Sequence, residues 1–307
     1  MKKKILITGI DGYLGRYLAK NLSKTFEVYG ITRNRFYHKY PYIIFYGDLK
    51  NKFFVNSIKK KFYLIINCAA NTRHYAKYKS SYEDNCISLK NILLSKNIEY
   101  EKFIHISTEA VFLERKEINV SEFSKLPKKN LSTYSKTKKK AEQIFKKFAK
   151  KNSVNMIVRT RLIWDNYESP VFNKLKKIMK YNFFVFVEGG NYTTHATHIS
   201  NLVLGIKLAI NFGKNNETYF IIDKKVKFKD LVRSIIKKKF YSISIPRILF
   251  YTVIKILHFL TKKRIFILNN ESFSLSAYYL TLSKVTIRND FTVRRLNFNA
   301  KNYYDLN

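Results

Sequence analysis

The stretch TYSKTKKK, residues 133–140, sets Tyr134 four places before Lys138. Four residues is about one helical turn, so on a helix the phenol and the ammonium share a face. A tyrosine with an unperturbed pKa of about 10 is a poor base at neutral pH, and a neighbouring cation favours its phenolate. Spacing alone does not select this pair. The chain has 23 tyrosines, and the same spacing recurs at Tyr46/Lys50, Tyr75/Lys79 and Tyr251/Lys255. Their surroundings in the chain differ. Tyr134 opens a helical stretch about one loop after an apolar run ending in two hydroxyls, Ser107 and Thr108. Tyr46 ends a strand pattern before an aspartate, Tyr75 falls in a loop pattern, and Tyr251 lies in a different, apolar helix.

A second constellation is TGIDGYLG, residues 8–15. Gly9 allows a tight turn, Gly12 lets a phosphate approach the backbone, and Gly15 lets a helix pack close to a sheet. The free N–H groups and dipole at such a helix start favour a pyrophosphate. A glycine triplet carries weight only between a strand and a helix, and this one sits there. It follows the apolar KKILITG and precedes YLGRYLAKNLS, whose Leu14, Leu18 and Leu22 have helical spacing.

The elements that must hold these residues alternate. FEVYGITR (26–33) and YIIFYGDL (42–49) read as strands two and three, and FYLIINCAA (62–70) as a fourth, buried on both faces. A helix over 81–96 leads to a fifth strand in KFIHISTEAVF (102–112). A Lys-rich helix over 133–151 leads to a sixth in VNMIVRTRLIW (154–164). This rhythm predicts an α/β fold of Rossmann type, a doubly wound parallel sheet with right-handed crossovers, over residues 1–164. Past 165 the alternation weakens: a helix over 169–180, an extended stretch over 183–199 and a helix over 201–213 closed by glycine. ETYFIID (217–223) reads as a strand returning to the sheet, with KFKDLVRSIIKKK as its helix. Residues 165–307 are therefore expected to form a smaller, discontinuous substrate-binding domain, with segments near 190–240 returning to the first.

At 307 residues and 46% hydrophobic content there is ample material for a core. Cys68 and Cys86 do not make a disulfide framework, and the six histidines form no ligand cluster. The start is basic and only briefly apolar, and no run reaches the roughly 18 apolar residues of a membrane span. The expectation is a cytoplasmic enzyme. The net charge of +38 comes with Lys, Asn, Ile, Tyr and Phe enriched throughout, and its lysines are scattered over many helix faces. That pattern reads as compositional drift bearing on solubility, and no specific nucleic-acid partner is expected.

Taken in order, the motifs resemble the extended short-chain dehydrogenase/reductase family, in its epimerase/dehydratase and 3β-hydroxysteroid dehydrogenase-like branches. T-G-x-x-G-x-x-G at 8–15 resembles its cofactor loop, which points to Gly9, Asp11, Gly12, Tyr13, Leu14 and Gly15. GDL at 47–49 resembles the loop touching adenine, pointing to Asp48 and Leu49. NCAAN at 67–71 resembles the segment beside the cofactor, pointing to Cys68, Ala69 and Ala70. STEAVF resembles S-S/T-x-x-V-Y, YSKTK resembles Y-x-x-x-K, and VRTRLIW resembles V-R-P-x-x-x-Y/W-G with Thr160 in place of proline. THATHISNLVLGIKLA resembles the segment in which His198 and Asn201 fall. The similarity runs from residue 1 to about 235 and fades in the tail.

The resemblance implies an NAD(P)-dependent oxidoreductase or epimerase acting on an alcohol or ketone of a small molecule, either a sugar nucleotide or a steroid- or lipid-like ketone. In that family's chemistry Tyr134 exchanges the proton. Thr108, with Ser107 as its stand-in, orients the substrate oxygen. Lys138 serves both the phenolate and the nicotinamide ribose. The acidic pair of the 4,6-dehydratases is not intact, since Glu109 is followed by Ala110, and Glu109 can face substrate or solvent. After the second strand comes ITRNR, with Thr32, Arg33 and Arg35 and no acid before Asp48; arginine suits a 2′-phosphate, so NADP is preferred over NAD. The resemblance also implies a homodimer through the helices at 81–96 and 133–151. The stretch 245–260 packs over the substrate cleft or, on a second reading, lies on an anionic membrane surface. The rival from another class is a non-catalytic NADP-binding sensor or scaffold of the same fold.

Overall fold

The computed structural model describes residues 1–34, 42–73, 76–113, 118–130, 132–179, 181–262 and 285–304. Arg35 and Tyr75 lie outside the described residues. The first half alternates as its hydrophobic pattern requires. β1 (Lys4–Thr8) leads to α1 (Tyr13–Leu22), β2 (Glu27–Thr32) and β3 (Ile43–Tyr46). A short α2 (Lys52–Ser57), capped by the Asn51 side chain, precedes β4 (Lys60–Asn67). α3 (Tyr78–Tyr82) runs through a π-helical turn, Glu83–Ile87, into α4 (Ser88–Leu94). β5 (Ile98–Thr108) ends in a 3₁₀ turn at Glu109–Phe112. A short β6 (Ile118–Val120), α5 (Thr133–Phe148) and β7 (Val154–Thr160) follow.

Six of these strands and a later one, β12 (Thr218–Phe220), form one sheet in the order β12-β7-β5-β4-β1-β2-β3. Every pairing in it is parallel. The order reverses between β1 and β4, and a crevice forms outside the carboxyl ends of strands at such a point. Ile5 and Ile7 bury one face of β1 among Leu14, Leu18, Leu202 and Ile206. Leu6 buries the other among Val55, Leu89, Ile92 and Phe145. A strand buried on both faces explains the unbroken apolar runs of β1 and β4.

Past Thr160 the chain leaves the sheet. Leu162 has φ 38°, the left-handed region that a branched side chain seldom adopts, and it turns the backbone aside. The expected sixth strand is therefore split: β7 stays in the sheet, and β8 (Ile163–Trp164) pairs instead with a two-residue strand at Thr197–His198. The helix Ile199–Phe212 returns to pack on α1, as does the closing helix Asp290–Leu296 on that returning helix. The expected return of 217–223 is seen as β12, paired with β7. Its following helix, Phe228–Ile236, does not cover the sheet; it packs with Pro170–Ile178 around Trp164, Phe184, Phe186 and Leu231 in a separate cluster. A two-stranded parallel ribbon, Phe183–Val187 with Tyr241–Ile245, and the helix Arg247–Lys262 complete that side.

Candidate active site

The glycine loop connects the end of β1 to α1, on the carboxyl edge of the sheet beside the reversal point. Gly9 has φ 64°, and a Cβ there would come within 2.9 Å of Ala69 Cα. Both the turn and the close approach of the 67–70 segment therefore require glycine. Gly12 precedes α1, which starts without a side-chain cap and without an acidic residue in its first turn. A helix start of that kind offers N–H groups and positive potential to an anion. A Cβ on Gly12 would touch only the Gly9 carbonyl, at 3.1 Å, which leaves the outer side open to a phosphate. Leu14 and Gly15 are buried and seat the helix on the sheet. Asp11 is half-buried in the loop. The Tyr13 hydroxyl donates to Asp165 Oδ2 at 2.6 Å and the Tyr17 hydroxyl donates to the same oxygen at 3.0 Å. Burial works against the Asp165 anion, but those bonds and three backbone N–H groups outweigh it and hold its carboxyl below the usual range.

The loops expected at the adenosine gather charge. Arg33, at the exit of β2, lies 3.8 Å from Asp48 and 3.7 Å from Asp84; Lys50 lies 3.6 Å from each of the same carboxylates. Arg33 remains 67% exposed, so its guanidinium can turn to a ligand. Leu49 is buried, and its carbonyl accepts from Asn91. The NCAAN segment is fixed from below. Thr8 Oγ1 donates to Asn67 Oδ1 at 2.7 Å and accepts from Ala69 N at 3.2 Å, and Asn67 also contacts His105 Nδ1. From the side, Asn85 bonds both the N–H and the carbonyl of Asn71 and reaches Thr137 on α5. Asn85 sits in the π-helical turn, a feature frequent at functional sites. Cys68, within this segment, is close enough to Lys138 to feel its charge, yet burial pushes its thiol up to about 12, as for a packed group. Ala69 is partly buried and Ala70 exposed on the open side.

The end expected to hold a nicotinamide is where β5 stops and α5 starts. Ser132 caps α5, its side chain accepting from Ser135 N, and this fixes Tyr134 in the first turn. Tyr134 is half-buried and hydrogen-bonded to the Thr108 side chain. Lys138 is buried, with Nζ donating to the Ile106 carbonyl at 2.6 Å. Burial brings its pKa down to about 8, opposed by the Glu142 charge. The structure thus brings Tyr134 and Thr108 together, with Lys138 one helical turn further along α5. It does not bring Ser107. Alternation along β5 turns Ser107 to the other face, where its hydroxyl donates to Glu142 Oε1 at 2.6 Å. Glu142 in turn receives Arg159 through two bonds of 3.0 and 2.7 Å. The role of Ser107 as a stand-in for Thr108 is therefore corrected: it secures α5 to β5 and β7.

Tyr134 also departs from the expectation that Lys138 would draw it toward phenolate. Burial, reinforced by the Glu109 carboxylate, pushes its phenol above the ordinary range, and the Thr108 bond opposes only part of this. Glu109 faces inward. It is 7% exposed, with Thr108 Oγ1 at 2.9 Å and Arg161 Nε at 3.5 Å. Sequence reading missed the roles of Asp165, Asn85 and Arg161; spacing gave no signal for contacts that only the folded topology creates. His198 and Asn201 belong to a different cluster, tied to Asp223 and to Tyr304 beside it, away from Tyr134.

The glycine loop, the uncapped helix and the hydroxyl–phenol–ammonium cluster together fit a nicotinamide dinucleotide, and the profile of the NAD dependent epimerase/dehydratase family matches residues 5–168. The chain belongs to that family. It is an enzyme of the extended short-chain dehydrogenase/reductase type. A 4-hydroxy-2-methyl-3-oxo-4-farnesyl-3,4-dihydroquinoline-1-oxide ketoreductase of Stigmatella aurantiaca is 25% identical over 72% of this chain and 68% of its own length. A decarboxylating sterol-4-alpha-carboxylate 3-dehydrogenase of Dictyostelium discoideum is 23% identical over 77% of this chain and 76% of its own. Among solved structures, the UDP-glucuronic acid 4-epimerase of Bacillus cereus, in complex with NAD, superposes with a TM-score of 0.72. It covers 97% of this chain and 92% of that one at 18% identity, a likeness of fold.

Proposed function

We propose that this family member is a reductase or dehydrogenase acting on a ketone or alcohol of an apolar, isoprenoid- or sterol-like molecule, with Tyr134 as its acid–base group. The observation that carries the reading is the Tyr134–Thr108 hydrogen bond, with a buried Lys138 one helical turn further along α5. When bound, the nicotinamide supplies or accepts hydride. In reduction Tyr134 gives its proton to the carbonyl oxygen, and Thr108 orients that oxygen. Lys138 would hold the cofactor ribose. Two curated relatives named for farnesyl and sterol compounds support the substrate class over a nucleotide sugar. The cluster built from residues after 164 would cover the substrate. Arg33 and Lys50 converge at the adenosine end, which favours NADP over NAD. By likeness to its family the enzyme would work as a homodimer through α3–α4 and α5.

The test is a panel of polycyclic ketones, isoprenoid quinones and UDP-sugars, run with NADPH and NADH side by side. An apolar ketone should turn over with NADPH. Tyr134→Phe should abolish that turnover, a loss of at least ~10²-fold, while nearly preserving cofactor affinity. Thr108→Ala should lower it less. Wild-type turnover in Tyr134→Phe would remove the catalytic reading and leave the rival of a cofactor-binding sensor; turnover confined to UDP-sugars would reject the apolar class.

A further inference from the structure

We propose that Glu109 is a proton reservoir for the site, supplying Tyr134 through the Thr108 hydroxyl, with Arg161 as the residue that positions its carboxyl and stabilises it once ionised. The proposal rests on the reading of Tyr134 as the acid. Glu109 begins the 3₁₀ turn after β5, one residue past Thr108, and its side chain folds back to meet that hydroxyl at 2.9 Å. The same hydroxyl bonds the Tyr134 side chain. One oxygen therefore stands between the phenol and a buried carboxyl. Thr108 Oγ1 is itself held by the Ala110 N–H at 3.2 Å, so its lone pairs and its single hydrogen are directed.

A buried carboxylate is costly unless well paired. Here the ion pair itself is long. Arg161 approaches Glu109 through one nitrogen at 3.5 Å, while its Nη1 donates to the Val285 carbonyl at 3.3 Å. Burial raises the carboxyl above its ordinary range against the pull of Arg161, the Thr108 hydroxyl and the Glu109 and Ala110 backbone N–H groups. Other titratable groups around the cluster are poor sources. The His195 imidazole accepts from Ile287 N through Nε2, and burial keeps it neutral down to about 4. Burial pushes the Tyr192 phenol up. Lys138, on the Tyr134 side, points its Nζ to the Ile106 carbonyl.

The direction of the central hydrogen bond follows the state of Glu109. With the carboxyl ionised, Thr108 donates to it. With the carboxyl protonated, Glu109 donates to Thr108, and the threonine hydrogen is free for Tyr134. In ketone reduction the Tyr134 proton goes to the carbonyl oxygen as hydride from the nicotinamide reaches its carbon. The phenolate then takes the Thr108 proton, and Thr108 takes that of Glu109. Glu109 is left as a carboxylate against Arg161 and regains a proton from water between turnovers. One proton and one hydride enter the ketone, and oxidation of the alcohol runs the sequence backward.

The first test needs no substrate. In infrared titration of the cofactor-free protein, a carboxylic-acid carbonyl band should persist above the usual carboxylate range and vanish in Glu109→Gln. It should shift in Thr108→Val and also in Tyr134→Phe, because the perturbation travels through the shared hydroxyl. A band absent from wild type, or unmoved by both variants, overturns the proposal. The second uses NADPH and the ketone identified by the panel. Glu109→Gln should lower kcat of reduction roughly tenfold with KM little changed, lose the acid-dependent limb of the pH profile, and enlarge the solvent isotope effect. If Glu109→Gln fails to fold, Thr108→Val carries the same readouts. An inert Tyr134→Phe beside a Glu109→Gln with wild-type kcat and pH profile overturns the relay alone; a fully active Tyr134→Phe overturns the catalytic reading itself.

Discussion

Lys138 is charged in water and buried here, and that conflict has a measurable consequence. Its pKa is brought down to about 8 by burial, with Glu142 limiting the fall. Any task that needs the ammonium, ribose binding included, is complete below that pH and lost as pH rises through it. Cofactor affinity, followed by quenching of protein fluorescence, should therefore weaken above about pH 8. Lys138→Arg should carry binding to higher pH without that fall, since guanidinium stays protonated. A wild-type affinity flat to pH 10 would contradict the role. That Tyr134 and Lys138 share one helix was legible because spacing and chain order are sequence properties. The protonation bias of Tyr134 was not, since it arises from Glu109 and from burial, which only the fold supplies.

At the scale of elements, α5 carries the site and is fastened to the sheet by one buried assembly. Arg159 on β7 grips Glu142 with two bonds, Ser107 on β5 adds a third, and the guanidinium lies 4.9 Å from the centre of the Phe112 ring. Removing one member leaves the other charge buried and unpaired. Glu142→Ala should cost about 3–5 kcal/mol, read as a lowered urea midpoint with an unchanged slope. A loss below about 1 kcal/mol would mean water reaches the pair. The parallel strands were readable because burial on both faces leaves unbroken apolar runs. The helix expected over 81–96 was readable in place but not in form: its π-helical turn, which aims Asn85 at Asn71, has no signature in periodicity. The strand expected over 154–164 was too long because the departure at Leu162 depends on a partner, Thr197, far along the chain. Beyond residue 165 short strands pair with distant segments, so local pattern had little to report.

Those same helices set the assembly expected of the whole molecule. Lys140, Lys146 and Lys147 on α5 oppose close approach of two copies. A dimer through α3–α4 and α5 should therefore be weak and tighten with added salt. Sedimentation equilibrium checks this; a strictly monomeric active enzyme at all salt concentrations would exclude it.

The last expectation concerns surfaces. Among the described residues no helix is long and apolar enough to cross a membrane. Yet the helix Arg247–Lys262 exposes Ile248, Leu249, Val253 and Ile256. The ribbon beside it in sequence exposes Phe183 and Val185, paired in register with Tyr241 and Ile243. Tyr241 also lines a cleft of about 940 Å³ with Arg233, Lys237, Lys238 and Lys239. Apolar and basic groups side by side suit the boundary of an anionic bilayer, where an apolar substrate would also reside. A chain of charge +38 will meet anionic vesicles whatever face it presents, so salt must discriminate. Wild type should sediment with anionic vesicles and stay partly bound at 0.5 M salt, on the order of the screening that removes purely ionic contacts. Leu249→Glu should release it there, whereas Phe53→Ser, an exposed apolar change far along the sequence, should not. Complete release of wild type by salt would instead make the Arg247–Lys262 helix part of the substrate cover.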